Sequence, residues 1–278
     1  MVFVNGRISP ALSSLGAPPA GCRVAPLSQV IASDPHAIER VLASVADAKK
    51  RPLVALNSAL FADGVFVELS DGAVLDRPVH ALFLQSGAGA PIASHVRTLI
   101  SAGAGSRGVV VEHHAGTNPG SDLTNAVTEI RLGEAAALQH VLVQELPAAN
   151  HLLAAVLSRQ DAGSRLGLHV GERLDARAGA GLARVELEAR LEGERAELEM
   201  NGLYLGRGAQ HQDHHTSIDH AAPRTSSREL VKGVLDHMAF SGKGLAGAVA
   251  KLKAKGVPYE LRRLPEYRTW QLFFHDPN

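Results

Sequence analysis

From Leu53 onward the chain reads as short apolar and β-branched runs separated by Gly/Asp turns. They are Leu60–Phe61, Val65–Leu69, Val79–Leu84, Val109–Glu112, Leu138–Gln144, Leu166–Val170 and Ala196–Met200. Gly103, Gly133, Gly163 and Gly193 recur 30 residues apart, each in a small polar turn ahead of a strand-like run. A fixed period of this size with a turn glycine is the mark of a solenoid, in which each repeat completes its hydrogen bonding on its neighbours. No helix-length amphipathic stretch lies between the runs, so the repeat is all-β. The pattern predicts a mainly β fold, a parallel β-helix over about residues 53–222, with the four glycines at equivalent corners of successive coils.

Flanking segments read differently. Residues 1–32 are rich in Pro, Gly and Ser and predict a loosely packed lead-in. Asp34 followed by Pro35 starts a helical pattern (Ile38, Val41, Leu42, Val45) that Lys49-Lys50-Arg51-Pro52 closes. Ser227–Leu235 predicts a second helix, with Leu230, Val231 and Val234 on its apolar side. The tail predicts a small β-α-β-β fragment: Leu245, Val249 and Leu252 form a helical stripe stopped by Gly256 and Pro258, and Tyr259–Leu264 and Thr269–Phe274 are strand-like. The expected organisation is a lead-in and helix over 1–52, a β-helix domain over 53–234 and a tail fragment over 235–278.

Composition narrows the chemistry. Lys plus Arg equals Asp plus Glu at 28 each, which removes any net field for nucleic acid or anionic membrane. Aromatics make up only 4%, so the core is built from small aliphatic side chains. No run of 18 apolar residues and no signal-peptide pattern is present, and the expected location is the cytoplasm. Cys22 is the single cysteine, which excludes an intrachain disulfide and a four-thiolate cluster site within this chain. His113-His114 reads as a polar pair at a sheet edge. The acid/apolar alternation of Glu186-Leu187-Glu188 and of Glu192–Glu199 reads as a solvated strand face. Gly242-Lys243-Gly244 lacks the spacing of a phosphate-binding loop.

Four of the 14 histidines fall within ten residues: His211, His214, His215 and His220. Imidazole is the commonest metal ligand, yet an extended strand advances about 3.3 Å per residue with alternating faces. His214 and His220 would share a face roughly 20 Å apart, and His214 and His215 would point oppositely. A local metal site is therefore disfavoured, and the four become candidates for a subunit junction or a polar ladder.

The same stretch carries a resemblance. Gly202-Leu203-Tyr204-Leu205, Gln210-His211-x-Asp213-x-His215-Thr216 and Ile218-Asp219-His220-x-Ala222-Pro223-x-Thr225-x-Ser227-x-Glu229-Leu230-x-Lys232-Gly233 resemble the SufB/SufD family of iron–sulfur cluster assembly scaffolds, most of all its SufD branch. Leu56–Gly64 resembles the family's opening strand, and Thr124–Glu129 and Leu191–Gly193 fit it too; the likeness covers about Pro52 to Asp236. It implies a right-handed parallel β-helix and a non-catalytic scaffold subunit acting with a SufB-like subunit and a SufC-like ATPase in the cytoplasm. It also implies no cofactor in the isolated chain and a cluster, if any, only at a subunit junction.

The family's further coils, terminal Cys/His motif and helical ATPase-docking region are not found after Asp236, so the chain is expected to be truncated or fused. Leu235–Asn278 instead resembles part of a vicinal-oxygen-chelate (glyoxalase/dioxygenase-like) module, through Leu235-Asp236-His237-Met238-Ala239-Phe240, Ala254-Lys255-Gly256-Val257-Pro258-Tyr259 and Gln271–Asn278. That likeness implies an alternative function, a metal-dependent lyase or dioxygenase with His237 as the candidate ligand.

Overall fold

The structure is a computed structural model describing residues 1–39, 41–49, 51–87, 90–117, 120–172, 181–206, 210–235, 253, 254, 256, 259–264 and 269–274. The chain divides into two units, Met1–Val234 and Leu235–Asn278. The first unit opens with β1 (Val2–Val4), β2 (Arg7–Ile8), β3 (Cys22–Pro26), α1 (Leu27–Ser33), α2 (Pro35–Glu39) and α3 (Pro52–Leu60). Twelve strands follow: β4 (Asp63–Leu69), β5 (Val79–Gln85), β6 (Ala93–Ala102), β7 (Arg107–Gly116), β8 (Leu123–Leu132), β9 (Ala137–Glu145), β10 (His151–Gln160), β11 (Arg165–Glu172), β12 (Leu182–Leu191), β13 (Glu197–Gly206), β14 (His211–His220) and β15 (Ser226–Leu235).

Successive strands alternate between two sheets, ordered β15-β13-β11-β9-β7-β5-β1-β2 and β14-β12-β10-β8-β6-β4-β3. The result is a parallel β-solenoid of about five turns. Ala102, Leu132, Gln160, Leu191 and His220 are successive register partners, so the coil length varies between 28 and 31 residues around the 30-residue period. Alternate residues of both sheets point into the coil and build the main core, from Phe3 and Val67 through Ile130 and Leu142 to Leu198 and Met200.

The four periodic glycines share one corner, where β6, β8, β10 and β12 turn into the other sheet. Each turn closes by a bond from its fourth residue to its first: Ser106 to Gly103, Ala136 to Gly133, Ser164 to Asp161 and Ala196 to Gly193. Gly103, Gly133 and Gly193 hold the first position, while Gly163 holds the third. The third position has positive φ in every turn: Gly105 65°, Ala135 57°, Gly163 64° and Arg195 62°. That twist aims its N–H at the next coil: Gly105 to Glu134, Ala135 to Ala162, Gly163 to Glu194. At the first position a Cβ on Gly193 would land on the Ala162 backbone of the preceding coil. The period thus records two needs, close approach at one position and left-handed φ at another.

Several sequence expectations are corrected. Residues 1–32 are not a loose lead-in: β1 pairs in parallel with β5, β3 pairs antiparallel with β4, and Phe3 is fully buried. Asp63 ties this segment down by accepting the N–H groups of Ile8 (3.1 Å) and Ser28 (2.9 Å). The helix expected over 34–51 ends at Glu39, and Ala43 takes positive φ. Backbone donors that a longer helix would use internally go instead to the buried Glu129 carboxylate, which accepts from Ala43 (2.8 Å), Val45 (2.9 Å) and Ala46 (2.9 Å).

Leu56–Leu60, expected in the opening strand, belongs to α3, whose buried Asn57 donates to the Val96 carbonyl (2.8 Å) and the Asn125 carbonyl (3.0 Å). Ser227–Leu235 lies in β15 rather than in a helix. The open edge of β13 supplies partners for this segment, and sheet context overrides a helical spacing of apolar residues.

The α layer covers the outer face of β4, β6, β8 and β10 with two further clusters, one around Val30, Ile38, Phe66 and Leu99, the other around Val45, Val54, Val127 and Leu157. Between them Arg97 and Glu129, both fully buried, form an ion pair at 2.5 Å, and Arg97 also donates to Asn57 at 3.1 Å. The second unit contains an antiparallel pair, β16 (Tyr259–Leu264) and β17 (Thr269–Phe274), on the two runs that read as strands. The helix expected over Leu245–Leu252 lies outside the described residues.

Two outcomes follow in equilibrium unfolding. Ala135→Gly relieves a left-handed alanine and raises stability by about 1 kcal/mol, while Gly105→Ala lowers it by a similar amount. Glu129→Ala leaves Arg97 buried without its partner and removes the acceptor of three N–H groups, and costs about 3–5 kcal/mol. A Glu129→Ala protein as stable as wild type contradicts the clamp.

Candidate functional site

The histidine stretch forms β14, the last strand of its sheet, paired on one side with β12. Register sets the faces. Ala183, Val185, Leu187, Ala189 and Leu191 of β12 point into the coil, and their partners are Gln212, His214, Thr216, Ile218 and His220. His214 and His220 therefore face the interior at the open end of the solenoid, while His211 and His215 face outward. The four are not brought together. Among the described residues no group of three or more His, Cys, Asp or Glu is placed to hold a metal ion.

The outer face is a ladder of ion pairs across coils, Arg184 to Asp213 at 3.0 Å and Arg190 to Asp219 at 2.9 Å, with His215 opposite Glu186. The inner face is less settled. His220 bonds Thr225 (2.8 Å) and Ser227 (3.0 Å), closing the corner between β14 and β15. His214 meets the Tyr204 ring edge-on at 5.6 Å, yet its Nε2 is buried without a hydrogen-bond partner, as are both amide atoms of Gln212. Burial holds the His214 pKa below its ordinary value, against the opposing charge of Asp213, and keeps the ring neutral. The mouth of the last coil thus presents unmatched donors and acceptors between two sheet edges, β14 and β15.

A second polar centre lies deep in the coil, and the sequence reading missed it. Glu112, on β7, is buried and accepts from His140 Nε2 (2.7 Å), Thr128 (2.6 Å) and Thr98 (3.0 Å). One carboxylate thereby binds side chains from both sheets. His114, two residues on, is not a sheet-edge residue: β7 is central, and the ring is fully buried against Phe83, with centroids 5.1 Å apart. Neither ring nitrogen has a hydrogen-bond partner. His113 points outward, stacks on His80 at 5.6 Å and approaches Glu145 at 3.3 Å. Glu186 and Glu188 do lie on the outer face. Only strict alternation along Val109–His114, placing Glu112 and His114 inward with Val110, could have given the buried pair away.

A family model described as SUF system FeS cluster assembly, SufBD core domain, matches residues 83–252, and one described as SufBD protein N-terminal region matches residues 1–81. The chain belongs to the SufBD family. It is also 26% identical over 263 residues to an iron–sulfur cluster assembly SufBD family protein of Synechocystis sp., an alignment covering 91% of this chain and 57% of that relative. The chain thus spans little more than half the length of that relative.

The SufBD core match begins within β5, takes in β6 to β15 and runs past Asp236 to residue 252, into the stretch where the sequence was expected to leave the family for a glyoxalase-like module. His237, the alternative metal ligand, lies outside the described residues, as does Gly242-Lys243-Gly244. Among the described residues no helix is long and apolar enough to cross a membrane.

The buried centre gives this SufBD protein an acid response of defined sign. Burial pushes the His114 pKa down to about 4, with the charge of Glu112 opposing. Burial alone would raise Glu112; the hydrogen bond and charge of His140, the charge of His114 and the Thr128 hydroxyl outweigh it and hold the carboxyl below its usual range. A neutral His114 supports the fold above the ordinary histidine pKa of 6.5, and that support is lost as pH falls toward about 4. Glu112 loses its own contribution as pH falls below the ordinary glutamate range. His114→Leu is expected to remove roughly 2–3 kcal/mol of the stability difference between pH 7.5 and pH 4.5. Identical pH profiles for the two proteins would show that His114 titrates freely.

Proposed function

We propose that the protein is a non-catalytic, SufD-like scaffold subunit in iron–sulfur cluster assembly, acting with a SufB-like subunit and an ATPase. The observation that carries this reading is the pair of SufBD matches laid over a solenoid whose last coil ends in two ten-residue strands, β14 and β15, at sheet edges. An edge of that length is a template for adding another chain's strand. The unmatched Gln212 and His214 side chains sit inside the same opening. The cluster is cargo in this reading. Cys22, the single cysteine, lies on β3, at the far edge of the sheet from β14, so a cluster needs ligands from a partner.

The test is capture of a SufB-like subunit by the purified chain, followed by size-exclusion chromatography with light scattering. A mixed complex is expected. His214→Ala with His220→Ala should weaken it by about tenfold, whereas His211→Ala with His215→Ala should change it little, because the outer pair faces away from the mouth. Failure to form any complex overturns the scaffold assignment. The chain purified alone is expected to carry no stoichiometric iron or sulfide, and a bound cluster in the lone chain would require ligands other than thiolates.

A further inference from the structure

Away from the last coil and the Glu112 centre, an open cleft of about 830 Å³ lies at the N-terminal end of the first unit. One wall is the strap Ser14–Pro19, the other is the loop Leu75–Pro78, and between them lie the register partners Val2 of β1 and Leu82 of β5. The strap is pinned at both ends. Ser13 Oγ accepts the Val2 N–H at 2.9 Å and donates to the Ser9 carbonyl at 2.8 Å, while the Cys22 N–H bonds the Pro19 carbonyl at 3.0 Å. Pro18 and Pro19 have no N–H to offer a neighbouring strand, so the strap cannot pair there as part of the sheet. The opposite wall is fixed by the Leu75 N–H on the Arg107 carbonyl at 2.9 Å. A pre-formed hollow of this size is in the range of small-molecule sites, roughly 300–1,000 Å³.

The charges around it are unequal. Arg77, exposed at the rim, makes no hydrogen bond or ion pair among the described residues. The Met1 ammonium, also in the lining, donates to the His80 carbonyl at 2.7 Å. Asp76 is the only carboxylate among the described lining residues, and its charge acts on Cys22, whose thiol is pushed up by burial first and by Asp76 second. His80 is kept neutral by burial, by the neighbouring His113 and by the chain's amino group. The cleft therefore joins an apolar pair, Val2 and Leu82, to one uncommitted guanidinium, a group that binds carboxylates and phosphates through two parallel hydrogen bonds.

We propose that this cleft binds an amphipathic organic anion, with its apolar body over Val2 and Leu82 and its carboxylate or phosphate head on Arg77. The site is independent of the assembly role. The full chain is titrated with decanoate, decyl phosphate and decanol, with binding read by calorimetry and by shifts of backbone amide resonances. Both anions are expected to bind at least about tenfold more tightly than decanol, and the tighter of the two identifies the head group. Arg77→Ala should bring the anions down to the level of decanol and leave decanol unmoved, while Leu82→Gln should weaken all three. Arg77 is exposed, so an unchanged melting temperature is expected for its variant, and Arg77→Glu repeats the test with the charge reversed. Anion binding that ignores both Arg77 variants, equal binding of decanol and the anions, or no binding of either anion up to millimolar concentration would overturn the proposal.

Discussion

A coil of a parallel solenoid cannot satisfy its own backbone. Each strand from β6 to β12 pairs in parallel with the strand one coil before it and one coil after it, and the corner turns extend the rule through their left-handed third residues, whose N–H groups reach the next coil. Register then becomes strict. Thr128 and Glu129 are neighbours on β8 with opposite duties: Thr128 points inward to Glu112, and Glu129 points outward to Arg97 and the 43–46 backbone. A slip by one residue would exchange them, exposing the inner face and burying unpaired charge. The two buried polar centres act less as sources of stability than as fixings of phase, one between the sheets and one between the solenoid and its α layer.

The same rule makes the two ends of the solenoid unlike each other. At the N-terminal end the chain changes direction. Antiparallel β2 and β3 border the two sheets, β2 is only two residues long, and α1 to α3 cover the outer face of one sheet. Short strands and reversed direction blunt an edge. At the other end β14 and β15 are full-length, and no residue of β14 is fully buried. Among the described residues the long parallel edges therefore lie on β14 and β15, and the blunted ones on β2 and β3.

How much of this was legible in the sequence follows from which faces are wet. Strands of the sheet that carries β5, β7, β9, β11 and β13 expose one face, so Val79–Leu84, Leu138–Gln144 and Leu166–Val170 stood out by alternation and by turn glycines. β6, β8 and β10 were not individually visible. They are buried on both faces, and their outward positions include Arg97, Asn125 and Glu129, which read as surface residues until the α layer covers them. A helix was expected over 34–51 because the competing acceptor for its N–H groups, Glu129, lies more than 80 residues away. Extended geometry for His211–His220 followed only from the β-helix expected over about 53–222, and with it the opposite facing of His214 and His215. Which two histidines face inward did not follow, since that depends on the phase set by β12.

In the scaffold role proposed above, recognition along β14 and β15 would rest on shape and hydrogen bonding more than on field. The chain has equal numbers of acidic and basic residues, and the outer face beside β14 consumes its charges internally, Arg184 with Glu186 and Asp213, Arg190 with Glu192 and Asp219. Pairs this exposed contribute little to stability and leave little potential to steer a partner over distance. What remains unmatched is local: the edges of two ten-residue strands, the amide of Gln212 and one nitrogen of His214. Such groups discriminate at contact, because a partner that leaves them unpaired incurs the cost of burying bare polar atoms, about 1–3 kcal/mol each.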